Sequence, residues 1–327
     1  MKKPILFVAR AIFPEVLEQL SEVFEVRHNQ ADTIFSLEQW IEKIKEVDAV
    51  FTTGVEPINA AVLAHCTHLK IAANMTVGYN NFNVSDMTQK GVVATNAPDV
   101  LTEATADMAF ALLLAAARRV SESEAFLRSG QWTKWAYDML LGAPVHKSTL
   151  GILGMGRIGQ AIARRAALGF DMQIIYHNRS PIPPQQALPY KATYVSLDEL
   201  LQQSDHLMVV LPYSPSVHHI LDASRIAKLK PSATIVNIGR GGLIDENALA
   251  TALECGLLAA AGLDVFEGEP LVNQRLLQQK NIVLTPHIGS ATEATRRAMA
   301  QLAVDNLIAF FKQRPLLTPL NPEVLSK

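Results

Sequence analysis

Leu150-Gly151-Ile152-Leu153-Gly154-Met155-Gly156-Arg157-Ile158-Gly159 is the stretch that decides the fold. A run of strand character enters a G-x-G-x-x-G turn. The residues that follow, Gln160 to Leu168, have helical spacing and a glycine stop at Gly169. On its own such a glycine turn says little; between a strand and a helix it is the fingerprint of a dinucleotide-binding βαβ unit. The glycines allow a tight turn and let the backbone approach a pyrophosphate. That group then rests on N–H donors at the helix start, here those of Arg157 and Ile158. No G-x-x-x-x-G-K-[ST] occurs, which disfavours a nucleotide triphosphatase.

The second strand of such a unit normally ends in an acidic residue, about 20 positions on, that grips the ribose 2′-hydroxyl of NAD. Here it ends in Tyr176-His177-Asn178-Arg179-Ser180. No carboxylate is there to repel a 2′-phosphate. Arg179 offers a charge-assisted partner and Ser180 a hydroxyl. The stretch Asn178 to Ser180 therefore predicts NADPH in preference to NADH.

Working outward, the first 96 residues alternate short β-branched runs with amphipathic stretches. Strands are expected at Ile5–Val8, Phe24–Arg27, Ala49–Thr52, Leu69–Ala73 and Val92–Thr95, and helices at Phe13–Val23, Leu37–Val47 and Ala60–Ala64. This pattern predicts an α/β layer with a mostly parallel sheet. A long apolar helix, Ala104 to Arg119, follows Pro98-Asp99, with Asp99 expected as its N-cap. It is too apolar for a surface and is expected to be buried between two units. After a Trp-bearing connection, Ser129 to Lys147, a second α/β series begins at Thr149. Its further strands are expected at Ile174–Tyr176, Leu207–Leu211, Thr234–Ile238, Ala260–Leu263 and Ile282–Thr285. A final helix spans Ala291–Phe311 and stops before Pro315.

At 327 residues the chain is long enough for two domains. Its 49% hydrophobic and 18% charged residues make disorder a poor default. With 29 Lys and Arg against 31 Asp and Glu it has no basic excess with which to neutralise a phosphate backbone, so nucleic acid is not expected as a partner. The longest apolar run, Met108–Ala117, is about half of what a bilayer requires, and Arg118-Arg119 follows it. No membrane segment is expected. The N-terminal Met1-Lys2-Lys3-Pro4 with Ile5 to Ala9 is too short in its apolar part for a signal peptide and reads as a strand. Cys66 and Cys255 form no CxxC or disulfide pattern, suit a reducing cytoplasm, and read as small buried hydrophobes.

Reduction of a 2-oxo acid by hydride needs a guanidinium to hold the carboxylate, a general acid for the carbonyl oxygen, and a partner that keeps the acid charged. Candidates follow consecutive expected strands: Arg240 in Gly239-Arg240-Gly241-Gly242, Glu269 in Asp264-Val265-Phe266-Glu267-Gly268-Glu269-Pro270, and His287 in Thr285-Pro286-His287-Ile288-Gly289. Each alone reads as a loop residue; the set has a chemistry.

Across essentially its whole length the chain resembles the D-isomer-specific 2-hydroxyacid dehydrogenases, most closely their bacterial glyoxylate/hydroxypyruvate (2-ketogluconate) reductases. The motifs that carry the resemblance are Leu150–Gly159, Asn237–Gly242, Gly262–Pro270 and Pro286–Gly289. The resemblance implies two domains with Rossmann-like or flavodoxin-like parallel sheets: a discontinuous substrate domain, 1–98 with 290–327, and an inserted dinucleotide domain, 99–289. It implies that Arg240 binds and polarises the substrate, that His287 is the proton donor, and that Glu269 pairs with His287 and favours its charged form. Asp264 is then expected to hold the nicotinamide carboxamide. Further cofactor contacts are implied for Thr105, Leu211, Pro212, Ile238, Gly239 and Gly289. The N–H groups of Val77 and Gly78 are expected to receive the substrate carboxylate, in a loop where Asn80 replaces the Asp of many relatives. The loop Trp132-Thr133-Lys134-Trp135 is similar to one that reaches a neighbouring subunit's active site, so Trp135 becomes a substrate-pocket residue of a homodimer.

Two other groupings are weaker. His65-Cys66-Thr67-His68 lacks a second ligand cluster, and His218-His219 follows a loop, so no metal is expected. Alternatives to the reductase are an NADH-dependent D-lactate or D-glycerate type dehydrogenase and a nucleotide-sensing co-repressor of the same fold. A phosphoglycerate dehydrogenase with a regulatory tail is disfavoured by the chain ending at Lys327.

Overall fold

A computed structural model describes residues 2–326; Met1 and Lys327, which the expected domain ranges include, lie outside the described residues. The chain divides into two compact units, Met1–Leu101 with Thr292–Lys327, and Thr102–Ala291.

The first unit holds β1 (Ile5–Val8), α1 (Pro14–Val23), β2 (Glu25–His28), α2 (Leu37–Ile44), β3 (Ala49–Thr52), α3 (Ala60–Leu63), β4 (Ile71–Asn74), α4 (Val84–Lys90) and β5 (Val93–Thr95). Its five strands are all parallel, in the order β2-β1-β3-β4-β5. β3, β4 and β5 are buried at every residue, which is why they read as continuous apolar runs rather than alternating ones. Helices α2 and α4 start where side chains satisfy free N–H groups. Ser36 and Gln39 form a capping box for α2, and Asn83 caps α4. The chain returns to this unit at its end: Asn321, fully buried, accepts from the Ala94 N–H and donates to the Val92 carbonyl.

The second unit holds α5 (Thr102–Ala117), α6 (Val120–Arg128), β6 (Thr149–Leu153), α7 (Arg157–Gly169), β7 (Gln173–His177), α8 (Pro184–Ala187), β8 (Thr193–Tyr194), α9 (Leu197–Gln203), β9 (His206–Val209), α10 (Ala223–Ile226), β10 (Thr234–Asn237), α11 (Glu246–Glu254), β11 (Ala260–Leu263), α12 (Gln274–Leu277) and β12 (Ile282–Leu284). The closing helix, α13 (Glu293–Phe311), belongs to the first unit.

Seven parallel strands run in the order β12-β11-β10-β9-β6-β7-β8, so the order reverses between β9 and β6. Such a switch point leaves a crevice outside the carboxyl ends of the strands, where ligands of open α/β sheets bind. The register makes the edge level: Leu153, Val209, Asn237, Leu263 and Leu284 are paired across neighbouring strands. Whatever follows each of these residues emerges at the same edge.

α5 packs against β10, β11 and α7. A Cβ at Gly262 would come within 3.0 Å of the Leu112 Cβ, so only glycine lets the helix lie this close to β11. Leu112 and Leu113 are essentially fully buried, worth about 1.5–3 kcal/mol each in transfer free energy.

Two expectations need correction. Asp99 is not the cap of the long helix: it sits at φ +70° in the turn before it, and the helix begins at Thr102. Asp tolerates the left-handed region, so the same residue type serves caps and turns alike. Cys255 is exposed rather than buried, because it is the C-cap of α11 ahead of the left-handed Gly256. Cys66 is buried, and burial pushes its thiol up to about 11. Among the described residues no helix is long and apolar enough to cross a membrane.

Candidate active site

The three strands β10, β11 and β12 deliver Arg240, Glu269 and His287 to one edge of the second unit's sheet. Arg240 follows β10 in a turn that Asn237 closes from both sides, its amide donating to the Arg240 carbonyl and its oxygen accepting from the Gly239 N–H. Gly241 is obligatory here, because a Cβ would fall 1.9 Å from the Phe266 backbone. Burial lowers the Arg240 pKa, and the charge of Glu269 opposes that shift without cancelling it. The guanidinium is half-buried, with Nη1 donating to the Gly239 carbonyl at 2.7 Å.

His287 Nδ1 lies 2.7 Å from Glu269 Oε2. The other carboxylate oxygen, Oε1, accepts from the Phe266 N–H at 2.8 Å. Burial pushes the Glu269 carboxyl up; the His287 hydrogen bond, the Phe266 N–H and the positive charges of His287 and Arg240 outweigh it and hold the group below the usual carboxylate range. Glu269 is therefore a carboxylate at neutral pH. His287 has a backbone φ of +53°, uncommon for a side chain of this size.

Asp264, only 1% exposed, holds that turn in place. Its Oδ1 accepts from the Thr285 hydroxyl at 2.6 Å and the Ile288 N–H at 2.8 Å, and its Oδ2 from the Gly289 N–H at 2.7 Å. Three of about four carboxylate acceptor sites are thus taken by the His287 loop. Sequence reading placed Asp264 near a cofactor and did not foresee this bracing. Gly289 is packed against it, since a Cβ there would lie 2.9 Å from Asp264 Oδ2 and 3.6 Å from the methyl of the buried Thr105.

The glycine turn after β6 has the features a bound pyrophosphate requires. Gly154 has φ +110°, and a Cβ on it would strike the Val210 and Leu211 backbone at 2.8–3.0 Å. A Cβ on Gly159 would lie 2.3 Å from the Gly154 carbonyl oxygen, so α7 can approach the strand only with glycine at this position. Around Gly156 the space is open, and this N-cap residue supplies no side-chain cap to α7. The start of α7 is thus an uncapped helix N-terminus, the kind of end at which anions bind.

At the end of β7, Asn178 Oδ1 accepts from the Met155 N–H at 2.7 Å, tying the glycine turn to the second strand. Arg179 and Ser180 are exposed, and Arg179 forms no ion pair among the described residues. Leu211 and Pro212 follow β9, and the buried Ile238 and Gly239 follow β10. Apart from Thr105, which lies in α5, the residues expected to contact cofactor thus line one edge of one sheet. A groove of about 860 Å³ opens at the opposite, N-terminal edge, beside Thr234, Ala260 and Asn281, away from the strand ends where such sheets bind ligands.

Val77 and Gly78 belong to the first unit. Their carbonyls are occupied: the Val77 oxygen accepts from Asn96, and the Gly78 oxygen from Asn74 and the Thr76 hydroxyl. Trp135 is 75% exposed in the segment between α6 and β6. One grouping went unseen in the sequence: Glu267 meets His218 and His219, a convergence of residues 48 or more positions apart that no local spacing signals.

Residues 110–289 match the model of the D-isomer specific 2-hydroxyacid dehydrogenase NAD binding domain. The glyoxylate reductase of Thermococcus onnurineus is 45% identical over 99% of this chain and 98% of its own length. The crystal structure of an NADPH-dependent glyoxylate/hydroxypyruvate reductase from Sinorhizobium meliloti, in complex with NADP and malonate, superposes with a TM-score of 0.83 at 37% identity, covering 98% of this chain and 97% of that one. A glyoxylate reductase from Paecilomyes thermophila gives a TM-score of 0.88 at 34% identity, covering 99% of this chain and 100% of that one. The family model over residues 110–289 and a relative 45% identical over 99% of the chain, together with a glycine turn at a sheet switch point, make this chain an NAD(P)-dependent oxidoreductase that belongs to the D-isomer specific 2-hydroxyacid dehydrogenase family.

Proposed function

We propose that the protein reduces a small 2-oxo acid of the glyoxylate, hydroxypyruvate or 2-ketogluconate type to the D-2-hydroxy acid, with NADPH as the preferred cofactor. The observation that carries the reading is the 2.7 Å pair of His287 and Glu269 on the sheet edge that also presents Arg240 and the glycine cradle.

When bound, the reduced nicotinamide supplies the hydride that reaches the carbonyl carbon. His287 gives the carbonyl oxygen its proton. With Nδ1 engaged by Glu269, Nε2 is the nitrogen left to deliver it, and Glu269 compensates the imidazolium charge before transfer. Arg240, in the second unit, binds and polarises the substrate; in the first unit, the Val77 and Gly78 N–H groups are suited to a carboxylate, their own carbonyls being tied back. Asp264 braces the turn that aims His287 and would hold the nicotinamide carboxamide. Thr105, Ile238, Gly239, Leu211, Pro212 and Gly289 form the remaining cofactor wall.

Support for NADPH comes from Arg179 and Ser180, exposed at a strand end that carries no carboxylate. The units carry distinct tasks in this reading, substrate cradle in the first and cofactor in the second. It also includes a homodimer. Trp132, Trp135, Tyr137 and Leu141 are all more than half exposed within one short segment, an apolar surface suited to a second copy, with Trp135 near the substrate.

The test is NADPH oxidation with a panel of 2-oxo acids, using wild type and His287→Gln. Turnover on small 2-oxo acids, lost in the variant while NADPH still binds, is the expected result. A fully active variant, or no turnover on any member of the panel, overturns the reading.

A further inference from the structure

Apart from Arg240, Glu269 and His287, two imidazoles and a carboxylate converge beside the same sheet edge. His218 and His219 follow the short 3-10 turn Pro215–Val217. Consecutive side chains of an extended chain point to opposite sides, yet these two rings stack, with centroids 3.8 Å apart and planes inclined by 24°. The cause is the left-handed backbone of His219, φ +48°, secured by its N–H donating to the Gly242 carbonyl at 2.7 Å. Glu267, in the loop after β11, reaches both rings. Its Oε2 lies 2.9 Å from His219 Nε2 and its Oε1 3.9 Å from His218 Nε2. The three ligating atoms all lie within 4.8 Å of one another. The other nitrogen of His218, Nδ1, is hydrogen-bonded to the Tyr213 hydroxyl at 3.2 Å. An outer partner on one ring nitrogen is how metal sites orient the other toward the ion.

We propose that His218 Nε2, His219 Nε2 and the Glu267 carboxylate form a binding site for a divalent transition ion of the zinc class. One imidazole is enough to satisfy the carboxylate; the second, on its other oxygen, supplies the third ligand of a cation shared by all three. The donor set of two imidazoles and one carboxylate suits Zn²⁺ or Co²⁺, with water completing the coordination, and is unsuited to Mg²⁺ and Ca²⁺, which take oxygen ligands. The ion takes the place of the proton now shared between His219 and Glu267. The Glu267 N–H donates to the buried Glu246 carboxylate at 2.7 Å, and Glu267 precedes Glu269 by two residues. A bound ion therefore also anchors the segment that carries Glu269.

The experiment uses the full-length protein, stripped of metal by a chelator and titrated with Co²⁺, followed by visible ligand-field absorption and by calorimetry. One Co²⁺ per chain is expected. His218→Gln, His219→Asn and Glu267→Gln should each weaken binding by at least about tenfold. Asn at 219 tolerates the left-handed backbone, and positions 218 and 267 are exposed, so unaltered urea midpoints separate loss of ligands from loss of fold. His287→Gln should bind as wild type does. Wild-type affinity in the three variants, or loss of binding in His287→Gln, which moves the ion to the His287–Glu269 pair, overturns the proposal.

Discussion

Replacing Asp264 by Asn changes one atom and sets three hydrogen bonds against each other. In the native chain its carboxylate accepts from the Thr285 hydroxyl and the Ile288 and Gly289 N–H groups, at 1% exposure. An Asn can keep two of these with its carbonyl oxygen, but its amide then points two hydrogens at the Gly289 N–H, donor against donor. Hydrogen bonds to a charged group are worth about 1.5–3 kcal/mol, and an orphaned buried donor costs about 1–3 kcal/mol. One bond is lost and two are weakened to neutral strength, so a loss on the order of 3–5 kcal/mol is expected from these contributions. Urea denaturation of both proteins measures it. The kinetic consequence is separate. Asp264 braces residues on both sides of His287, whose φ of +53° depends on surrounding support. A displacement of about 1 Å at a reacting group costs on the order of 100-fold. We expect kcat for 2-oxo acid reduction to fall by about that factor. If kcat stays within about twofold while stability falls as calculated, Asp264 does not aim His287; if stability is unchanged, the hydrogen-bond argument itself is wrong.

Three further outcomes follow from the same geometry. Arg179→Ala should lower kcat/KM with NADPH by about tenfold or more, the value of one charge-assisted contact, and leave NADH nearly unaffected; a wild type that prefers NADH refutes the assignment. Gly159→Ala forces a methyl to 2.3 Å from the Gly154 carbonyl and should cost about 1–3 kcal/mol in stability together with cofactor affinity, whereas Gly156→Ala, in open space, should spare stability and weaken only cofactor binding, as equilibrium fluorescence titration can show. Glu269 is held below its ordinary pKa in the folded state, so its stabilising contribution is complete above the ordinary carboxylate range near ~4.3 and is lost as pH falls through the depressed value. Acid unfolding of wild type beside Glu269→Gln should show the wild-type advantage disappearing only below that range; its disappearance well above it contradicts the pairing.

The central strands of the sheets were legible because they are buried on both faces and appear as uninterrupted β-branched or small-residue runs; β3 and β11 lie where the pattern places them. Helices on the outside were harder. α4, α6, α9 and α11 carry mixed surfaces, and their periodicity is diluted, although Ser196 and Glu199 form a capping box that marks the start of α9 in the sequence itself. Arg240, Glu269 and His287 could be singled out because each follows a strand in a glycine- or proline-bearing turn. The bracing by Asp264 and the meeting of Glu267 with His219 could not, because both join segments 21 to 48 residues apart through side-chain directions that only the folded sheet determines.

The bond from the Met155 N–H to Asn178 also bears on how coenzyme choice could change over evolution or by engineering. Position 178 is committed to the glycine turn, so replacing it disturbs the cradle itself as well as what lies at the ribose. Its neighbours 179 and 180 are exposed and carry no such duty. On the proposed reading, preference between the two nicotinamide coenzymes is therefore free to drift at two adjacent positions while the glycine turn stays intact. Libraries aimed at retuning it should vary 179 and 180 and leave 178 alone.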